Sequence, residues 1–231
     1  MKKVIFIVIM LLITLVSCGL SKDINEEEIG IHYFKNTKKL SFDKFEYSDR
    51  WKGLIIEDNY NINDYDLEYL KKLPKLEKLT ISQSNITEKG IKEIQNLKKL
   101  KILTINEAQL TDAGMKYIGQ LENLESLNIS QTKVTDEGLK YLQGLKKLKK
   151  LIIMYDKITD KGIAYIKDLP LEVLYLTGTQ VSDKSVPILE KMKTLEELVI
   201  DKTKITPEGA KHLEDKLNAI VRYAYEDFSR E

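Results

Sequence analysis

The chain has 231 residues, 42% of them hydrophobic and 32% charged, a balance that describes a globular protein of one or two domains. Its 37 basic and 36 acidic residues leave a net charge of +1, which excludes a long-range field that would draw in nucleic acid or an anionic membrane surface. A repeated pattern described below decides for one domain.

The first 17 residues stand apart. Lys2 and Lys3 form a basic start, Val4 to Val16 is an apolar run, and Leu15-Val16-Ser17-Cys18 closes it. A helix of that run rises about 20 Å, short of a roughly 30 Å hydrocarbon core, so residues 1–17 are expected to be a cleaved signal rather than a span. Leu-Val-Ser-Cys resembles the lipobox of bacterial lipoproteins, which implies that Cys18 is lipidated, freed as a new N-terminus and acylated. Cys18 is the only cysteine, so no intramolecular disulfide competes for it. Loss of residues 1–17 leaves 35 basic against 36 acidic residues, a net charge of −1. Residues 18–30, with Ser21 and Glu26-Glu27-Glu28, read as the lipidated cysteine and a short solvated tether. The resemblance implies an extracytoplasmic, lipid-anchored protein. Gly19 stands where aspartate favours inner-membrane retention in well-studied Gram-negative lipoproteins, so the outer membrane or cell surface is favoured.

Residues 31–72 read as an N-terminal cap and a degenerate first repeat. Tyr33, Phe34, Phe42, Phe45, Tyr47 and Trp51 suit the covering of an open apolar end. Leu54 and Ile56 then mark a strand, and Ile62, Leu67 and Leu70 lie 24 residues before Ile86, Ile91 and Ile94.

Six units follow over residues 73–215, starting at Leu73, Leu97, Leu121, Leu145, Leu169 and Met192. Within each, the hydrophobic period changes. In Leu121 to Gly144, Leu127 and Ile129 alternate as a strand with both side chains inward, then Thr135 caps a helix whose buried stripe is Leu139 and Leu142. The cap recurs at Thr87, Thr111, Thr159, Ser182 and Thr206, and an acid at Glu88, Asp112, Asp136, Asp160 and Asp183 follows it at the positive end of the helix dipole. One strand and one helix cannot bury an apolar face alone, but stacked copies can. Residues 216–231 read as a C-terminal cap and tail, with a closing strand in Ala219 to Ala224.

The pattern L-x-x-L-x-x-L-x-I-x-x-T-x-I-T-D-x-G-x-x-x-L resembles a leucine-rich repeat of the helix-containing type. The resemblance implies an α/β, right-handed leucine-rich-repeat solenoid, capped at both ends, with a parallel concave sheet and convex helices. It also implies that the concave sheet binds another protein. At the turn where many such repeats carry Asn or Cys, this chain has Ser84, Ala108, Thr132, Asp156, Thr179 and Thr203.

Strand residues flanking the inward pairs face the concave side. They are small and polar in the first units. Later, Ile152, Met154, Tyr155, Val173, Tyr175 and Val199 fall on adjacent strands as one apolar patch, the candidate partner-binding surface. Strand propensity alone explains the same residues, and both readings stand. The unit at Leu169 is one residue short, has Ser185 in place of glycine, and carries Pro187 inside its helix, which either shapes a pocket or reflects drift. Tyr69, Tyr117, Tyr141 and Tyr165, with His212, share one convex position, where the rings are expected to pack between helices. Lys146, Lys147, Lys149 and Lys150 read as a solvated face.

His32 and His212 lie in opposite caps without partners, and no nucleophile motif, phosphate loop or metal-ligand spacing is present. No enzyme activity, catalytic residue, metal, cofactor or small-molecule substrate is therefore expected. The function expected is a membrane-anchored protein-binding module. Alternatives are a self-associating envelope component and an inhibitor or regulator of an extracytoplasmic enzyme.

Overall fold

The computed structural model describes residues 31–35, 52–57 and 62–224. Cys18, the signal segment, the tether and the tail from Tyr225 lie outside them.

Among the described residues, nine strands form one parallel sheet in sequence order. They are β1 (Ile31–Lys35), β2 (Gly53–Glu57), β3 (Lys78–Ser82), β4 (Ile102–Asn106), β5 (Ser126–Asn128), β6 (Lys150–Ile152), β7 (Val173–Tyr175), β8 (Glu197–Val199) and β9 (Ile220–Arg222). The described residues between the strands include seven helices: α1 (Asp64–Leu67), α2 (Glu88–Ile94), α3 (Asp112–Ile118), α4 (Asp136–Leu139), α5 (Asp160–Ile166), α6 (Val186–Leu189) and α7 (Pro207–Lys216). Single 3₁₀ turns extend α1 and α4 and precede α6. The sheet begins earlier than the sequence pattern suggested, because Ile31–Lys35, expected to be irregular cap, pairs in parallel register with Gly53–Glu57.

The second residue of every strand from β2 to β9 points inward: Leu54, Leu79, Leu103, Leu127, Leu151, Leu174, Leu198 and Val221 are all buried. Two residues on, Ile56, Ile81, Ile105, Ile129, Ile153, Leu176 and Ile200 make a second buried row. The helices add Ile91, Ile94, Met115, Ile118, Leu139, Leu142, Ile163 and Ile166, and the whole set is one continuous cluster. Each such side chain contributes about 1.5–3 kcal/mol on burial, and no unit could bury its share without a neighbour.

The repeated Thr-Asp-x-Gly does more than cap helices. The Thr135 side chain accepts from the Glu137 N–H as expected. Its own N–H and hydroxyl also donate to the Asp112 carboxylate of the preceding unit, at 2.7 Å each. The same double bond joins Thr87 to Asp64, Thr159 to Asp136 and Ser182 to Asp160. At the next joint the Thr206 N–H alone reaches Asp183, at 2.8 Å. The aspartates thus staple successive units together, beyond the dipole role that their position suggests.

Glycine is required where it makes room for that carboxylate. A Cβ on Gly138 would lie 2.5 Å from Asp112 Oδ1, and one on Gly162 would lie 2.5 Å from Asp136 Oδ1. Ser185, at the glycine position of its unit, is fully buried and instead donates its hydroxyl to Asp160 Oδ1 at 2.6 Å.

One joint lacks the staple. Glu88 stands in the aspartate position before Thr111, and Thr111 makes no side-chain capping bond. The ladder also has defined ends. Asn63 is capped by its own helix in a reciprocal box with Asp66. After Thr206 the aspartate position holds Pro207. Pro187 likewise falls in the first turn of α6, where its missing N–H costs no helical bond, so it does not break the helix interior as the sequence suggested.

Shortening Glu88 to aspartate should install the missing staple. We expect Glu88→Asp to stabilise the domain by about 1 kcal/mol and Asp136→Ala to destabilise it by about 2 kcal/mol, both read by urea denaturation. No gain from Glu88→Asp would show that carboxylate reach is not what that joint lacks.

Candidate functional site

The outward rows of the sheet form the candidate surface, and the register defines them. Lys78, Ile102, Ser126, Lys150, Val173, Glu197 and Ile220 are laterally paired in one row. Thr80, Thr104, Asn128, Ile152, Tyr175, Val199 and Arg222 form the next. Neighbouring strands lie about 4.8 Å apart, so residues adjacent in a row touch.

Apart from Lys78 and the exposed Ile102, the first half of the face is small and polar, and part of it is internally bonded. The Ser82 hydroxyl donates to Asn106 Oδ1 at 2.6 Å, and the Ser130 hydroxyl to Asn128 Oδ1 at 2.8 Å. The Ser130 oxygen accepts in turn from the Met154 N–H at 3.1 Å.

The second half differs. Ile152 and Tyr175 are paired in register, Val173 lies one row over, and all three are half-buried, as is Met154 beyond the end of β6. Tyr155 follows at 52% exposure. Val199 is the exception among the candidates. At 7% exposure, flanked in register by Tyr175 and Arg222, it belongs to the packed floor and not to the contact surface. Alternation in the sequence gives the face a residue is on, but not how far longer neighbours cover it.

Charged groups frame this region in a way the sequence did not reveal. Lys150 Nζ sits 5.5 Å from the centre of the Tyr175 ring, a cation–π contact. Burial, then the Glu197 carboxylate bonded to it, push the Tyr175 phenol above its ordinary range. Arg222 Nε pairs with Glu197 Oε1 at 3.0 Å. Lys149 pairs with Glu172 at 2.7 Å, and the Lys147 ammonium donates to Asn123 Oδ1 at 2.7 Å. The lysine run expected to be merely solvated is largely engaged.

Tyr155 owes its place to a second periodic feature. Gln83, Glu107, Gln131, Tyr155 and Lys202 all have φ between 48° and 60°, with Gly178 at 71° in the corresponding place. The left-handed turn costs a side-chain-bearing residue about 1–2 kcal/mol, and five unlike residues give no compositional signal of it. At Gly178 the demand is sharper. The Tyr155 ring lies against it, so an added Cβ would fall 2.6 Å from Tyr155 Cε1 and nearer still to Cδ1.

Asp156, next to Tyr155, occupies the turn position that is Thr132 in the preceding unit. Oδ1 accepts from the Thr132 N–H at 2.6 Å and from its hydroxyl at 3.0 Å, while Oδ2 has no partner. Ser84, at the equivalent place, leaves its Oγ unbonded, whereas the Thr179 and Thr203 hydroxyls donate to the carbonyls of Leu176 and Ile200.

On the helix side, a groove of about 480 Å³ is lined by Val186, Pro187, Glu190, Thr206, Gly209 and His212. The irregular unit borders this groove and not a concave pocket. His212 is not partnerless, since its Nε2 lies 2.7 Å from Glu190 Oε2 and holds that carboxyl below its ordinary range. Tyr69, Tyr117 and Tyr165 are half-buried, and Lys72 and Lys161 sit over the first and last of these rings. Among the described residues, no group of three His, Cys, Asp or Glu side chains is placed to hold a metal. Among them, too, no helix is long and apolar enough to cross a membrane.

These features define a leucine-rich-repeat solenoid. A family profile described as Leucine Rich repeat matches residues 120–142. Comparison with curated protein sequences finds no match. Among solved structures, an internalin (inlF) of Listeria monocytogenes is similar, with a TM-score of 0.54 and 20% identity over 78% of this chain and 64% of that one. Internalin C2 (inlC2) of the same organism gives 0.51 and 19%, over 83% of this chain and 69% of that one. The chain spans just under two thirds of the length of the first, and at these identities the likeness is one of fold.

The contact at Gly178 is testable. Gly178→Ala should destabilise the domain by about 1–3 kcal/mol in urea denaturation, and part of that loss should be recovered in a Tyr155→Ala background. Equal losses in both backgrounds would remove the ring contact and leave only the backbone demand.

Proposed function

We propose that this domain is a protein-binding module that engages a partner protein through the C-terminal half of its concave sheet, at Ile152, Met154, Tyr155, Val173 and Tyr175. The observation that carries the reading is Tyr175. Its ring is half-buried, braced by Lys150 on one side and by Glu197 with Arg222 on the other, and surrounded by aliphatic side chains. An aromatic anchor already ordered before binding loses little rotamer freedom in a complex, and such residues carry much of the energy of protein interfaces. Val199, beside Tyr175 in the same row and 7% exposed, offers little contact area of its own.

The location proposed for this module is outside the cytoplasm, tethered to a membrane by lipid on Cys18. That part rests on the signal segment and the Leu-Val-Ser-Cys sequence. Two or more acyl chains, each methylene contributing about 0.8 kcal/mol, would make the attachment stable. Cys18→Ser is expected to release the protein from membranes on cell fractionation.

The binding surface is tested by capture from envelope extracts on immobilised domain, comparing wild type with Tyr175→Glu and Ile152→Glu. We expect each substitution to lower recovery of the partner at least tenfold while leaving the circular dichroism unchanged. Undiminished recovery by folded variants would remove this face from the interaction. Sedimentation across concentration separates partner binding from self-association, which needs no second protein.

A further inference from the structure

Two residues beyond the row of Ile152 and Tyr175, the concave face carries a further row. From β3 to β8 it reads Ser82, Asn106, Ser130, Met154, Thr177 and Asp201. Met154 is the one apolar side chain among these six. Strand preference favours β-branched and aromatic residues, so it does not account for a methionine in an otherwise polar row. Of the methionines among the described residues, Met115 is fully buried and Met192 is 3% exposed, whereas Met154 is half-buried on the sheet surface. Its thioether is the one of the three that a small oxidant reaches without opening the core.

We propose that Met154 is an oxidation site through which a peroxide switches off the concave patch: the sulfoxide, formed in place on the folded domain, weakens engagement of the partner. As a statement about regulation of partner binding, this rests on the function proposed above. The selective oxidation is a property of the protein alone.

A lone pair on Met154 Sδ attacks one oxygen of hydrogen peroxide. The O–O bond breaks as the S–O bond forms, and the leaving hydroxide takes the proton from the transferred oxygen to become water. Sulfur gives up two electrons and the peroxide accepts them, so the step needs no other reactant. A flexible apolar side chain becomes polar and carries a strong hydrogen-bond acceptor.

The backbone confines this change to the surface. The Met154 N–H donates to Ser130 Oγ at 3.1 Å, and the Met154 carbonyl accepts from the Gln131 N–H at 2.9 Å, so both main-chain groups are tied to the preceding unit. On the following strand, about 4.8 Å away, Thr177 is the neighbour in the row and offers a hydroxyl donor to the new oxygen. The sulfoxide is thereby kept on the face, beside Ile152 and Tyr155, where a partner would cover it. Apolar cover strips water from such a group without replacing its hydrogen bonds. At Met115 or Met192 the same chemistry would disrupt the buried cluster instead.

Peptide mapping by mass spectrometry, on the full chain in detergent treated with dilute hydrogen peroxide, tests the site without any partner. Sulfoxide at Met154 should form about tenfold faster than at Met115 or Met192, with the circular dichroism unchanged. Equal rates at the three positions would overturn the assignment. Capture from envelope extracts, with each protein normalised to its own untreated sample, should fall about fivefold for the oxidised wild type and return after treatment with methionine sulfoxide reductases. Met154→Leu, close in volume and without sulfur, should show no response to peroxide. Undiminished capture by the oxidised wild type, or an equal fall in Met154→Leu, would overturn the switch. Undiminished capture by Tyr175→Glu would instead overturn the binding reading and leave the selective oxidation standing, so the two failures are distinct.

Discussion

A helix N-terminus leaves N–H groups without partners, and in this protein the neighbouring unit helps satisfy them. The Asp112 carboxylate accepts from the N–H and hydroxyl of Thr135, and the same exchange recurs along most of the row of helices. Strand pairing joins units on the sheet side and sets which side chains meet on the concave face, and leucine packing joins them in the middle. The contact between a short carboxylate and one threonine adds a third tie on the helix side, holding each helix N-terminus against the last.

That geometry explains why the concave surface changes character without any change of fold. The units at β3 to β5 carry Ser82, Asn106, Asn128 and Ser130, which bond in pairs, Ser82 to Asn106 and Ser130 to Asn128. The units at β6 and β7 carry Ile152, Met154, Val173 and Tyr175 on the same scaffold, with Lys150, Glu197 and Arg222 as a charged frame. A constant framework thus lets individual outward residues vary freely. It also confines the cost of an unusual one, as at Asp156, to a single joint.

The sequence made the strands, the buried rows and the caps legible, because period-two leucines and Thr-Asp pairs are local signals. It showed less of what links one unit to the next. The aspartate position was fully explained by the helix dipole, so its bond to a threonine 23 residues away went unseen. Glycine at the third helical position was the signal that could have revealed it, since glycine costs about 1 kcal/mol in a helix and its recurrence demands a reason. The left-handed turn was hidden because Gln83, Glu107, Gln131, Tyr155 and Lys202 share no chemistry. The strand at Ile31–Lys35 was hidden because its residues, His32 and Tyr33 among them, break the leucine pattern that announces the others. Burial of Val199 depends on Tyr175 and Arg222 in adjacent strands, which alternation within one strand does not report.

The staple has a direction: each unit offers a carboxylate forward and presents a threonine backward. A 24-residue cassette inserted at a stapled joint would bring one of each and restore both contacts, so lengthening by internal duplication disturbs nothing else. Extension beyond the last such joint is different. Asp183 still reaches Thr206, but Pro207 stands where the next carboxylate would have to be. At the other extreme Asn63 is already occupied with Asp66. The array can grow from within, but it offers no chemical foothold for one more unit of its own kind at either extremity.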